Sequence, residues 1–178
     1  MHERQDSLVD PETGLFDTRY FMASLRHAVA AAKRRLQPMS VVILAFGPDE
    51  EAEGHGIAGR AVFLRDILRG TDTLCRLDGD RLGLILEEAT EHGAYLALER
   101  IRRQFNRLAA ADGGSPEGPG GPRLPRASHA PVDDGMIAGI ASYPTHALEA
   151  NELVSEAERA LARARTPGTP PIAVASTD

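Results

Sequence analysis

Only one cysteine, Cys75, occurs in the 178 residues, so no disulfide framework exists. It stands in an apolar stretch, where a thiol behaves as a small hydrophobe, and this usage predicts the reducing cytoplasm. Long apolar runs are missing too. No run of about 18 uncharged apolar residues occurs, and the opening MHERQDSLVD has no apolar core; neither a membrane span nor a signal peptide is expected. Basic charge is in deficit, with 20 Lys and Arg against 26 Asp and Glu and a net charge of −6. The basic residues are scattered, which argues against a nucleic-acid partner. No Ser/His/Asp or Cys/His arrangement is legible. The six histidines, among them His55, His92 and His146, are not paired at metal-ligand spacing, so no zinc site is expected. Internal repeats are absent.

What remains is enough chain for one domain with a single core. Residues 1–13 read as a polar N-terminal segment, with a turn at Asp10-Pro11-Glu12-Thr13-Gly14. Phe21, Leu25, Val29, Ala32 and Leu36 then recur at helical spacing, and Gln37-Pro38 ends that helix. Ser40 to Phe46 is a continuous apolar run of strand length, of the kind covered on both faces. A second helix carries Ile57, Ala61, Leu64 and Leu68. A long one carries Ala94, Leu98, Ile101, Phe105 and Leu108 inward. Residues 111–134, dense in Gly, Pro and Ser, predict a flexible insertion inside a domain spanning 14–178. A strand from Met136 to Ser142, a helix marked by Leu153, Ala157, Ala160, Leu161 and Ala164, and a short edge strand at Ile172 to Ala175 complete the chain. The order α-β-α-β-β-α-β-α-β predicts one α/β domain with a mixed sheet of about five strands flanked by helices.

The chemistry-bearing stretch is RGTDTLCRLDGDRLGLIL, Arg69 to Leu86. It places a helix end, an apolar strand, the acidic turn Asp78-Gly79-Asp80 and a second apolar strand in succession, which predicts a β-hairpin with carboxylates at its tip. Just before it, Arg69 and Asp72 stand three residues apart where helix gives way to strand. In so charged a chain such a pair is commonplace, and a solvated surface ion pair is the plain alternative.

Four segments in order resemble the GGDEF, or diguanylate cyclase, family. Asp10-Pro11-Glu12-Thr13-Gly14-Leu15-Phe16-Asp17-Thr18-Arg19-Tyr20-Phe21 is similar to that family's D-x-L-T-G-L-x-N-R-R-x-F opening. Arg76-Leu77-Asp78-Gly79-Asp80-Arg81-Leu82 sits where R-[YL]-G-G-[DE]-E-F belongs. Gly139-Ile140-Ala141-Ser142-Tyr143-Pro144 is similar to G-V-A-x-Y-P, and Ala157 to Arg165 to A-D-x-A-L-Y-x-A-K. The resemblance implies a palm-type, nucleotidyl-cyclase-like fold whose hairpin carries a degenerate signature, Asp78, Gly79, Asp80, Arg81 and Leu82. Family members join two GTP molecules into cyclic di-GMP, a phosphoryl transfer that depends on positioning and on cations held by converging carboxylates. In this chain Ala45 stands at the strand-end carboxylate position, Gly47 at the next acidic position and Glu50 at the phosphate-binding lysine. The guanine-reading loop is shortened to Glu53-Gly54-His55-Gly56, Asp78 replaces the first signature glycine and Arg81 its glutamate. The expectation is therefore a catalytically inactive domain, with no metal and no cofactor.

The family also carries an R-x-x-D product site five residues before the signature, with a further arginine on the following helix. Arg69 and Asp72 match it, Thr73 to Leu77 separate it from Asp78, and Arg100 stands at the helical position. A guanidinium forks onto guanine O6 and N7 or onto a phosphate, and a carboxylate accepts from guanine N1 and N2. The resemblance thus implies a cyclic di-GMP receptor that forms a homodimer linked by its ligand. Two alternatives are a nucleotide-independent interaction module of the same fold and a residual cyclase. Lys33, Arg34 and Arg35 could supply a contact from a second subunit, or simply be the cationic last turn of a helix. Arg165, at the family's phosphate-binding lysine, has the same plain explanation. Gly54-His55-Gly56-Ile57-Ala58-Gly59 reads G-x-G-x-x-G, but the acidic run before it would repel a pyrophosphate.

Overall fold

The computed structural model describes residues 7–47, 56–112 and 135–177. Among them the elements follow the expected order: α1 (Thr18–Arg35), β1 (Met39–Ala45), α2 (Gly56–Ile67), β2 (Thr73–Arg76), β3 (Arg81–Glu87), α3 (Glu91–Asp112), β4 (Ile137–Tyr143), α4 (Ala150–Ala164) and β5 (Ile172–Val174). The strands make one five-stranded sheet in the order β2-β3-β1-β4-β5. Three pairings are antiparallel and β4–β5 is parallel, so the sheet is mixed, as expected.

β1 is central, and all seven of its residues are buried. Its alternate side chains serve two cores. Val41, Ile43 and Ala45 pack with Phe21 and Leu25 of α1 and Leu153, Ala157 and Leu161 of α4. Val42 and Leu44 pack with Ile57, Ala61 and Leu64 of α2 and Ala94, Leu98, Ile101 and Phe105 of α3. Thus α1 and α4 cover one face, α2 and α3 the other. β1 and β2 both run antiparallel to β3, so α2 is a crossover between parallel strands; α3 likewise links β3 to β4. This connectivity gives the domain two ends. The β2–β3 turn, the end of β1 and the start of α2 share one. The α2–β2 connection and the start of α3 share the other.

Two glycines set how closely helices approach the sheet. A Cβ on Gly139 of β4 would lie 2.0 Å from the Ala157 carbonyl oxygen and 2.4 Å from the Leu161 amide, so α4 rests directly on this strand. On Gly83 of β3 it would meet the Phe21 ring at 2.7 Å.

Asp17 starts α1 as its N-cap, its Oδ1 accepting from the amides of Arg19 (2.9 Å) and Tyr20 (3.1 Å). Burial pushes the Asp17 carboxyl up, but the hydrogen bonds from the Tyr20 amide and Arg19 outweigh this and hold it below its ordinary value.

Residues before α1 form a hairpin of their own. Asp17 N donates to Leu8 O and Asp10 N to Leu15 O, both at 2.7 Å. The expected turn closes it: Asp10 Oδ2 accepts from the Thr13 amide at 2.8 Å and from its hydroxyl at 2.6 Å, and Gly14 takes φ +67°. Val9 bridges Phe16, and Phe16 in turn bridges Cys75 of edge strand β2. A boundary between residues 13 and 14 therefore runs through this hairpin. On the opposite edge, Ala175 N bonds back to Ile140 O at 2.7 Å, so the neighbouring Val174 carbonyl points outward; it accepts from Arg163 Nη2 at 2.6 Å.

The expected insertion falls outside the described residues, except that residues 111 and 112 finish α3. The side chain of Leu108, Glu50 and the Glu53-Gly54-His55 stretch, with the start of the G-x-G-x-x-G run, also lie outside them. No helix among the described residues is long and apolar enough to cross a membrane.

Candidate functional site

The sequence-predicted residues fall in two places along the short strand β2. Arg69 and Asp72 lie at its start, beyond the end of α2. Asp72 folds back on this turn: its Oδ2 accepts from the Arg69 amide at 3.0 Å, while its own amide donates to the Arg69 carbonyl at 3.0 Å. The carboxylate keeps its second oxygen for another donor, and the Arg69 side chain is exposed. Arg100 lies in the third turn of α3, next to buried Ile101, and is exposed as well. α2 and α3 cover the same sheet face; Arg69 follows the end of α2 and Arg100 lies on α3. Neither has an ion-pair partner among the described residues. By contrast, Arg102 and Arg103 share Glu99, at 3.4 and 3.8 Å.

The signature occupies the other end of β2, some 15 Å of extended chain away. Asp78, Gly79 and Asp80 form the exposed tip, with Gly79 at φ +68° as its left-handed residue. Leu77 N donates to Arg81 O at 2.9 Å, and Leu82 is buried opposite Leu44 and Arg76. Arg81 is directly opposite Ala45 in the β1–β3 register. Its guanidinium donates to the Asp78 carbonyl at 3.0 Å and to Glu158 Oε1 of α4 at 2.5 Å. The Asp80 side chain, 80% exposed, meets Arg76 Nη2 at 3.3 Å. Glu158 was not singled out in the sequence. It lies 77 residues from Arg81, and only tertiary packing joins them.

Of the residues set aside, Lys33 bonds Glu149 at 2.6 Å, tying the end of α1 to the start of α4. That hydrogen bond, against slight desolvation, holds the Lys33 amine above its ordinary value. The His146 side chain is buried and satisfied: Nδ1 accepts from the Ser142 amide at 2.9 Å and Nε2 lies 3.2 Å from Glu91. Arg60 stacks over Phe46 at 4.4 Å, beside Phe63 and Phe105. Burial, then the Asp17 charge, pushes the Cys75 thiol up to about 12.

Comparison with known proteins bears on this arrangement. The sequence pattern described as "Diguanylate cyclase, GGDEF domain" matches residues 56–117. Diguanylate cyclase DgcS of Shewanella oneidensis is 29% identical over 112 residues, covering 58% of this chain and 38% of that protein's length. The chain thus matches well under half of that relative. Solved structures share the fold. The GGDEF domain of YfiN (TpbB) from Pseudomonas aeruginosa has a TM-score of 0.70 at 22% identity, covering 93% of this chain and 99% of that one. The GGDEF domain of DgcB from Caulobacter crescentus, in complex with c-di-GMP, has a TM-score of 0.72 at 17% identity, covering 97% and 98%. Diguanylate cyclase SiaD of P. aeruginosa, in complex with its activator SiaC, has a TM-score of 0.73 at 21% identity, covering 95% and 62%. Nearly all of this chain has the fold of solved GGDEF domains, and residues 56–117 match the GGDEF sequence pattern.

Proposed function

We propose that this chain is a GGDEF domain that recognises cyclic di-GMP without making it. The observation that carries the reading is the state of Arg69, Arg100 and Asp72: two exposed arginines without carboxylate partners among the described residues, one just after α2 and one on α3, and a carboxylate that spends one oxygen on the Arg69 amide. Two arginines balance two phosphate charges and stack on purine faces, and Asp72 accepts from guanine N1 and N2. That the related DgcB domain was solved with c-di-GMP supports the choice of ligand.

Loss of synthesis follows from the other end of β2. Two magnesium ions on a triphosphate need converging carboxylates. Here Ala45 presents a methyl group, Arg81 opposite it brings a cation already bound to Glu158, and the remaining carboxylate, Asp80, contacts Arg76. This donor set does not fit a metal pair. A residual cyclase would instead release pyrophosphate from GTP with magnesium, in a manner Asp80→Ala abolishes.

Ligand bridging two copies would stabilise a homodimer through its preference for that state, and so pass a signal in the cytoplasm. A nucleotide-independent interaction module is the second reading. It is favoured by Leu8, Val9 and Phe16, each 41% exposed on the N-terminal hairpin. Calorimetry decides between them. Saturable binding of cyclic di-GMP, lost in Arg69→Ala and Arg100→Ala, supports the receptor; no heat at micromolar protein leaves the module.

A further inference from the structure

α1 ends in a way that leaves an apolar side chain in water. Leu36 falls on the apolar spacing of the helix, yet as its C-cap it takes the left-handed conformation, φ +54°, with its amide bonded to Ala32 O, and its side chain is 89% exposed. Glycine holds such a position at no steric cost; leucine does not. Two costs meet in one residue, and the single copy draws no burial from it. Beside Leu36 runs a groove. Its floor includes Ala28, Ala32 and Met39, all buried, while Arg35 lines it from α1 and Glu87 and Glu88 line it from the end of β3. All three charged residues are exposed, and none has an ion-pair partner among the described residues, not even across the groove. The groove thus offers an apolar floor and both signs of charge, next to a protruding leucine with no floor of its own.

From this we infer that the end of α1 is a contact surface for a second copy of the chain: Leu36 of each copy enters the other's groove over Ala28, Ala32 and Met39, and Arg35 of each meets Glu87 and Glu88 of the other. A two-fold axis satisfies these groups together, because in an isologous contact each copy supplies both the knob and the groove. The mixed charge selects a second copy over a partner of one sign, since a wholly acidic or wholly basic surface would be repelled by one side of the groove. Such a contact closes on itself, so association stops at two. It needs no nucleotide and does not rest on the receptor reading.

The test is sedimentation equilibrium of the full chain freed of nucleotide, at concentrations up to about 1 mM because so small a contact falls in the weak, transient class. The mean mass is expected to rise from the 19.1 kDa of the single chain toward twice that value and to level off there. Leu36→Gly is expected to weaken the dimer about a hundredfold, since two leucines leave the contact. Its Tm in dilute solution, where the chain is monomeric, should be kept, because glycine takes the left-handed cap freely. Arg35→Glu is expected to weaken the dimer about tenfold or more, and adding Glu87→Lys and Glu88→Lys to restore it. A mass that stays at the single-chain value throughout overturns the inference. So does a dimer indifferent to Leu36→Gly, or one that the charge swap fails to restore. A dimer that forms only with cyclic di-GMP and ignores these substitutions overturns it as well, and leaves the receptor reading standing.

Discussion

Asp72 closes the turn that Arg69 begins, accepting the Arg69 amide on one carboxylate oxygen at 3.0 Å while the Arg69 side chain stays in solvent. The two residues therefore differ in what they do for the empty fold. Arg69→Ala is expected to leave unliganded stability within about 0.5 kcal/mol of wild type, as at most exposed positions. On the receptor reading it should abolish the rise in Tm expected with cyclic di-GMP. At a hundredfold excess over Kd that rise corresponds to about 2.7 kcal/mol, or roughly 5–10 °C for a chain of this size. Asp72→Ala should lose the ligand response and also about 1 kcal/mol of unliganded stability with its turn bond. Differential scanning fluorimetry of both variants, with and without ligand, reads all four numbers.

A second expectation concerns the start of α1. Because the Asp17 carboxyl is held below its ordinary value in the fold, its contribution is present above the unfolded carboxylate pKa and lost as pH falls through the folded one. Asp17→Ala should cost about 1 kcal/mol at pH 7. Urea titrations repeated downward from pH 7 should show the gap to wild type closing below about pH 4. A gap constant down to pH 2.5 would falsify the cap.

Gly139→Ala should be severe. The added methyl would sit 2.0 Å from the Ala157 carbonyl oxygen, so α4 has to lift from β4. A loss of about 3 kcal/mol or more is expected, the scale of overpacking a site that backbone walls in. Gly70→Ala, in open space without positive φ, is the control and should change stability little.

Cys75 should resist iodoacetamide in the native state. Its thiol is fully buried, and its pKa is pushed up to about 12, so almost no thiolate forms at pH 8. Labelling should track global unfolding in urea. Fast labelling of native protein would show that β2 opens far more readily than its register suggests.

Much of this was legible before any coordinates. SVVILAF announced a strand buried on both faces, because apolar side chains at both alternations have no solvent side, and β1 is the central strand. The tip Asp78-Gly79-Asp80 fell between two apolar runs, and its glycine takes the left-handed conformation. Candidate residues at Arg69, Asp72 and Arg100 were nameable from type and spacing, yet the sequence could not say that Asp72 spends one oxygen on the Arg69 amide. That bond depends on a local turn that many Arg-x-x-Asp segments never form. Glu158 and the hairpin before α1 were hidden for another reason. Arg81 meets Glu158 across the sheet, and Leu8 and Val9 among polar neighbours show no period until Phe16 gives them a partner.

The outward carbonyl of Val174, occupied by Arg163, and the hairpin laid along β2 have a joint effect on how copies of this chain can meet. Growth of a β-sheet from molecule to molecule requires a free row of main-chain donors and acceptors. Both borders of this sheet are partly spoken for by the chain itself, so fibrillar stacking is discouraged at either side, and higher assemblies are left to the outer surfaces of the helices.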